Sequence, residues 1–315
     1  MKTKTSRRCP LCEQDEPRLI MQLTLDQIVR ANPAYERDVI EQALTGEEGG
    51  LTYSQCHGCG MVYCPHSWGD EVLKVVYGKA LDYEKSRANT LSIHKRIWLV
   101  DLWGMLLRLV SIQGYEKLGG LKLIDYGCGW GDFLEVVKGY GVEGTGYDED
   151  PKKVKFAAER GVRVARNMEE LSSFGPVDIF VMNSVLEHLQ DPASILKYAW
   201  DHLQPGGYLM FGVMDYRKKF LARNAKTVGR GNPASTHNLN PIEHVNIYDY
   251  RTARASGQKA GFRFLGTETV LRWAMHPRIR LGRPWMWLFN EMERLSYHIV
   301  KDGDRPLTMF FRKPV

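Results

Sequence analysis

"LKLIDYGCGWGDFLEVV", residues 121–137, decides how this chain folds. An apolar run ends in Asp125, Gly127, Gly129 and Gly131 follow at a spacing of two, and a helical apolar pattern then begins. That order spells strand, bare turn, helix. The same alternation continues outward through VEGTGYD and PKKVKFAAERG, VRVAR and a short helix, VDIFVMNS and PASILKYAWDHL, and then GYLMFGVM. Strands separated by helices predict a parallel, doubly wound α/β sheet with crossover helices. Beyond residue 261, FRFLGTETVLRW and RPLTMFFRKP read as two further strands. Between them lies a Trp-rich helix, RPWMWLFNEMERL at 283–295, that reads as core or lid.

Doubly wound sheets bind ligands at the carboxyl ends of their strands, with the first strand-to-helix turn as the cradle. A dinucleotide turn would read GxGxxG and face a pyrophosphate, which Asp125 would repel. An acid there suits a cationic amino-acid end instead, while side-chain-free glycines let the backbone approach a sugar and a carboxylate closely. Asp148, at the end of the second strand and 23 residues beyond Asp125, is placed to accept ribose hydroxyls. S-adenosylmethionine carries all of these groups. Glycines serving only as turn punctuation are the bland alternative.

On these residues the chain resembles the class I S-adenosylmethionine-dependent methyltransferases over about residues 119–315. "VDIFVMNSVLEHLQDP" followed by "LQPGGYLMFGV" is similar to the fourth-strand and fifth-strand motifs of the small-molecule members. The resemblance implies a Rossmann-like, seven-stranded fold. It also implies that Asn167, Met168 and Glu169 flank adenine and that Asn183 and Ser184 line the methionine side. The family often has an acid where this chain has Asn167-Met168.

Methyl transfer from a sulfonium is an in-line displacement with a neutral leaving group, so positioning supplies much of the acceleration. A hydroxyl, or a carbon beside a carbonyl, also needs a base. His188 of Glu187-His188, just past the fourth strand, is the first candidate, since histidine titrates near neutrality. His244, in "NPIEHVNIYDY", is the rival. The structural alternatives are that Glu187-His188 caps a helix or shapes a pocket, and that His244 is a hydrogen-bonded loop residue ahead of a helix beginning near Asp249. Tyr216, Tyr248 and Tyr250 could donate to substrate oxygens, or sit in the core with a bonded tip.

Five of the six cysteines precede residue 65. Cys9-Pro-Leu-Cys12 and Cys56-His-Gly-Cys59 are two CxxC knuckles that together complete a tetrahedral zinc shell with no open position, hence a structural metal. Cys64, His57 and His66 lie near enough in sequence to compete as ligands. The 43 residues between the knuckles form an insertion, with helices expected in DQIVRANPAYERDVIEQALTG. The expected domains are a zinc ribbon at 1–67, a helical connector at 68–118 and a methyltransferase domain at 119–315. The whole arrangement, with "CHGCGMVYCP", is similar to zinc-ribbon methyltransferases of sugar, polysaccharide and natural-product pathways.

A net charge of +6, not collected in a run, permits an acidic partner without requiring one. Lys218, Lys219, Arg223, Lys226 and Arg230 could meet the phosphate of a phosphorylated acceptor, or form a solvated face. The apolar stretch 97–112 contains Asp101 and Arg108 and is too short to span a bilayer; it reads as a packed helix filling an interdomain or homodimer contact. The basic start MKTKTSRRCP has no apolar stretch after it, so a cytoplasmic location is expected. The leading function is methyl transfer to a small-molecule acceptor. An RNA methyltransferase gripping nucleic acid with its ribbon is the alternative, disfavoured by few basic-aromatic pairings and by no Asn-Pro-Pro-Tyr type motif. A noncatalytic S-adenosylmethionine-binding subunit is a third reading.

Overall fold

The computed structural model describes residues 4–15, 17–31, 36–44, 51–68, 70–76, 87, 93–111, 119–214, 239–267 and 306–315. The basic segment 215–238, with Tyr216, and the Trp-rich helix expected at 283–295 lie outside them. The chain forms two compact units, one of Met1–Thr90, Leu186–Ala193 and Met214–Thr252, the other of Leu91–Val185, Ser194–Val213 and Ala253–Val315.

The first unit opens with β1 (Lys4–Ser6), β2 (Pro17–Leu23), α1 (Leu25–Ala31) and α2 (Arg37–Ala43). It continues with β3 (Leu51–Cys56), β4 (Val62–Tyr63), β5 (His66–Trp68) and α3 (Asp70–Val75). β1 pairs with β5, and β2, β3 and β4 form an antiparallel sheet. The two helices expected in the insertion are present as α1 and α2. Tyr53, Ile28, Ile40 and Trp68 share a buried core with Ile242 and Val245, residues that come from far down the chain.

The second unit contains α4 (Ile93–Ser111), β6 (Lys122–Tyr126), α5 (Asp132–Lys138), β7 (Glu143–Tyr147), α6 (Pro151–Glu159), α7 (Met168–Ser173) and β8 (Val177–Asn183). After these come α8 (Pro192–His202), β9 (Leu203–Met214), β10 (Asn246–Ile247), α9 (Tyr250–Lys259), β11 (Arg263–Thr267) and β12 (Pro306–Arg312); of them β10 belongs to the first unit's sheet. Six strands are ordered β11-β12-β9-β8-β6-β7, with parallel pairing of β7 to β6, β6 to β8 and β8 to β9. The two late strands expected after residue 261 are β11 and β12, paired antiparallel.

VRVAR, the third strand in chain order, joins β7 among the described residues through a parallel bridge between Gly146 and Val164. The Gly146 N–H donates to the Arg163 carbonyl at 2.9 Å and the Ala165 N–H returns to the Gly146 carbonyl at 2.8 Å. Asn167 then caps α7 through the Glu170 N–H, so the chain turns into a helix before a ladder can grow.

β10 pairs antiparallel with β4, and residues 239–252 belong to the first unit. Helix α4 belongs to the second. Its Leu99, Leu102, Trp103, Leu106 and Leu109, spaced by three and four, sink into the second unit's core beside Phe133, Leu134 and Val137. Trp103 is fully buried and meets Phe133 edge to face at 6.5 Å; truncating it to alanine would cost on the order of 3–5 kcal/mol. Among the described residues no helix is long and apolar enough to cross a membrane.

Candidate active site

β6 carries Asp125 between Gly146 of β7 and Val181 of β8, where it is 4% exposed. Burial, with the charge of Asp148 adding to it, pushes the Asp125 carboxyl up to about 7. The glycine loop starts at once. The Gly127 and Cys128 N–H groups both donate to the Tyr147 carbonyl, at 2.7 and 2.9 Å. Gly127 and Gly129 have φ of +76° and +54°, which side chains resist. A Cβ on Gly127 would overlap Val185, whereas one on Gly129 would have no described residue within 4 Å. Gly127 is therefore bare for packing, and Gly129 is bare beside open space.

Asp148, just past β7, accepts from the Gly129 N–H at 2.9 Å and from the Asp150 N–H at 3.0 Å. Each oxygen keeps a lone pair for a further donor. At the end of β8 the buried Asn183 Oδ1 has no hydrogen-bond partner among the described residues. The two acids and the bare backbone at Gly129 form a donor-seeking group that fits a ligand with an ammonium group and ribose hydroxyls; the Asn183 Oδ1 lies against Gly212 of β9. Met168 is half-buried and Glu169 exposed in the first turn of α7, where Glu170 pairs with Arg166 at 2.8 Å.

In the first unit the two knuckles are near copies. The Glu13 N–H donates to the Cys9 carbonyl and the Gly60 N–H to the Cys56 carbonyl, at 2.8 and 3.0 Å. Each second cysteine is followed by a left-handed residue, Glu13 at φ +65° and Gly60 at φ +79°. The four sulfurs lie within 4.8 Å of one another. Cys9 and Cys59 are 3.5 Å apart, and Cys12 and Cys56 3.4 Å. A tetrahedral zinc–thiolate shell has sulfur–sulfur edges of about 3.8 Å, so the set fits that ion. Burial raises the Cys9 thiol to about 11 and lifts Cys59 too; at Cys56 burial is outweighed by the Cys59 and Gly58 amides and the Cys12 thiol, which lower it. Cys64 stands apart, its sulfur 3.7 Å from the Pro241 carbonyl, and neither His57 nor His66 joins the four cysteines.

The same unit brings the two candidate bases together. The His188 and His244 rings meet edge to face with centroids 4.6 Å apart, both half-buried. His244 sits on a turn built by Asn240, whose carbonyl accepts its N–H at 2.7 Å and whose Nδ2 donates to Glu243 at 2.9 Å. Glu187 is 1% exposed, and among the described residues neither carboxylate oxygen makes a hydrogen bond of good geometry. Burial pushes it up to about 8, against a partial lowering by its own backbone amide and that of Met214. Tyr248 and Tyr250 are buried. Asp249 caps α9, accepting from the Thr252 N–H at 2.8 Å.

With this geometry in view, the model of one family, described as "Methyltransferase domain", matches residues 99–266, more than half of the chain. The chain belongs to the class I S-adenosylmethionine-dependent methyltransferases. A ubiquinone biosynthesis O-methyltransferase of Cupriavidus pinatubonensis is 32% identical over 221 residues, covering 66% of this methyltransferase and 79% of that protein. Its counterpart in Bordetella avium is 34% identical over 144 residues, and there the chain spans only 60% of the relative's length. Among solved structures, the plantazolicin methyltransferase BamL shares the fold, with a TM-score of 0.53 and 12% identity, covering 77% of this chain and 94% of that one.

Sequence reasoning passed over two arginines of this methyltransferase. Arg160, at the end of α6, donates to the Trp130 carbonyl at 3.2 Å and to Asp132 at 3.1 Å, and it also pairs with Glu135. It thereby pins the glycine loop to the start of α5. Arg7 reaches carbonyls as far away as residue 245, and nothing in its local pattern signals that reach.

Proposed function

We propose that this methyltransferase transfers the methyl group of S-adenosylmethionine to a small-molecule acceptor of the hydroxylated-ring, sugar, nucleotide-linked sugar or natural-product class. The glycine loop carries the reading: Asp125 buried behind it, Asp148 bonded to Gly129, and open space in front of Gly129. In this assignment Asp125 and the Asn183 Oδ1 take the ammonium, Asp148 the ribose hydroxyls, and Met168 and Glu169 the adenine edge. The names of the Cupriavidus and Bordetella relatives support a small oxygen nucleophile. The acceptor's lone pair attacks the methyl carbon, the carbon–sulfur bond breaks, and the sulfur leaves neutral. The proton released from the acceptor hydroxyl goes to an imidazole, His188 or His244, with Glu187 next to His188 in sequence.

Cys9, Cys12, Cys56 and Cys59 hold one structural zinc ion in this reading, joining knuckles that lie 44 to 50 residues apart in sequence. The free thiols agree with it.

Titration calorimetry with S-adenosylmethionine and S-adenosylhomocysteine tests the cradle. Transfer of an isotopically labelled methyl group to a dihydroxybenzoate and to a nucleoside-diphosphate-linked sugar then tests the acceptor class. Saturable binding with label in either product supports the reading; no binding of either nucleoside overturns it.

A further inference from the structure

Between β8 and α8 the chain runs through Leu186, Glu187, His188, Leu189 and Gln190, and four of those five carbonyls are gripped by two residues from elsewhere. Asn246, fully buried in β10, donates its Nδ2 to the Leu186 carbonyl at 2.8 Å and to the Leu189 carbonyl at 2.6 Å, and its backbone N–H to the Glu187 carbonyl at 3.0 Å. Its Oδ1 accepts from Arg7 at 2.8 Å, and the same guanidinium nitrogen donates to the Gln190 carbonyl at 2.7 Å. The other nitrogen of that fork reaches the Val245 carbonyl at 3.3 Å. The turn carrying His244 is tied to the same frame from its other side, because the Tyr53 hydroxyl donates to the His244 carbonyl at 2.8 Å. The Trp68 indole and the Gln190 amide complete it, donating to the Pro241 and Trp68 carbonyls at 3.0 and 2.8 Å.

Main-chain carbonyls gripped this densely are held in place, and the two gripped segments bring the rings of His188 and His244 into contact. Such a frame is costly to bury for stability alone, since each unpaired polar atom would carry a desolvation penalty if one member were lost. Its geometric product is a fixed relation between two imidazoles.

We propose that Arg7 and Asn246 are positioning residues that hold His188 and His244 side by side. The planar fork matters: Arg7 donates in three directions from one rigid group, a pattern that a lysine ammonium cannot reproduce at the same distances. Asn246 matters through its amide nitrogen, which an aspartate would replace with an oxygen facing two carbonyls. The catalytic consequence rests on the reading above that one of these histidines takes the acceptor's proton; the geometric claim does not.

The test uses the full chain with Arg7→Lys, and Asn246→Asp as a second, more disruptive change. Imidazole ring resonances are assigned through His188→Ala and His244→Ala. Turnover is followed with the dihydroxybenzoate and the nucleotide-linked sugar, and S-adenosylhomocysteine binding by calorimetry. In Arg7→Lys both ring signals should move while the S-adenosylhomocysteine dissociation constant stays within about twofold and kcat falls about tenfold or more with little change in KM, as expected of misplaced catalytic groups. In the histidine-substituted backgrounds Arg7→Lys should add almost nothing, because the group it positions is gone. Unmoved ring signals in Arg7→Lys overturn the proposal, as does a kcat loss that is fully additive with both histidine substitutions. If the wild type turns over neither probe, moved ring signals sustain the frame and the base assignment falls alone.

Discussion

Asp148 accepts the Gly129 N–H at 2.9 Å, so the acid that ends β7 also sets the backbone of the glycine loop. In the proposed site one carboxylate would do two jobs, shaping the loop and offering its remaining lone pairs to a sugar. Asp148→Ala should weaken S-adenosylhomocysteine binding by about tenfold to a hundredfold, as loss of an orienting partner commonly does. Asp148→Asn should lie between, because the amide oxygen can serve only one of the two N–H donors. Equal binding by both variants and the wild type would refute the double role, read by calorimetry.

Gly129→Ala separates stability from binding. The new methyl meets no described residue within 4 Å, and only the left-handed backbone resists it, by about 1 kcal/mol. Thermal unfolding should fall by a few degrees at most. Nucleoside binding should fall by more than tenfold, because the methyl fills the space where the ligand's backbone contact would form. Gly127→Ala, driven into Val185, should lose both together.

Binding should carry a proton signature. In the free protein Asp125 titrates at about 7 because burial, then Asp148, disfavours its charge. A ligand ammonium reverses that preference, so binding near pH 6.5 expels a proton and affinity rises as the pH climbs through about 7. Calorimetry in two buffers of different ionisation enthalpy measures the release directly. Asp125→Asn should abolish it.

Glu187 makes an opposite demand on the fold. Its carboxyl is raised from the ordinary 4.5 to about 8 by burial, so the folded chain binds more protons than the unfolded one between those values. Stability from this group is therefore whole below about pH 4.5 and drains away as the pH rises through 8. Glu187→Gln should unfold near the wild-type temperature at pH 5 and above it at pH 9. The same difference at both pH values would contradict the buried, uncompensated carboxyl.

Metal analysis of the purified protein should return about one zinc per chain, and Cys56→Ser should remove it. Chelation should disorder β2, β3 and β4, seen as lost amide protection there, while S-adenosylhomocysteine binding by the second unit persists. Glu13→Gly should resist chelation better than the wild type, since Gly60 already occupies the equivalent left-handed position without strain.

The parts legible in the sequence are those whose reasons are local. A strand ending in Asp125 before spaced glycines, and cysteines two apart, write their geometry within a few residues. How briefly VRVAR pairs was not legible, because its residues suit a strand and the chain enters a helix capped by Asn167 directly after it. Helix α4 looked like a connector because Ile97 and Val100 are apolar yet exposed, which blurs the face that Leu102 and Trp103 bury. His188 and His244 were each visible as a candidate, but their meeting brings together residues 56 apart, amid bonds such as Arg7 to Val245, 238 residues apart, for which short-range pattern holds no trace.

The pairing of Asn246–Ile247 with Val62–Tyr63 has a consequence for biosynthesis. A nascent chain that has left the ribosome only as far as residue 90 owns three strands of a four-stranded sheet and an open edge on β4. That edge stays uncapped until the strand at 246 emerges, after the parallel sheet between them has been translated. The cysteine knuckles both lie before residue 60, so the zinc ion proposed for them would be available to steady the waiting half-sheet.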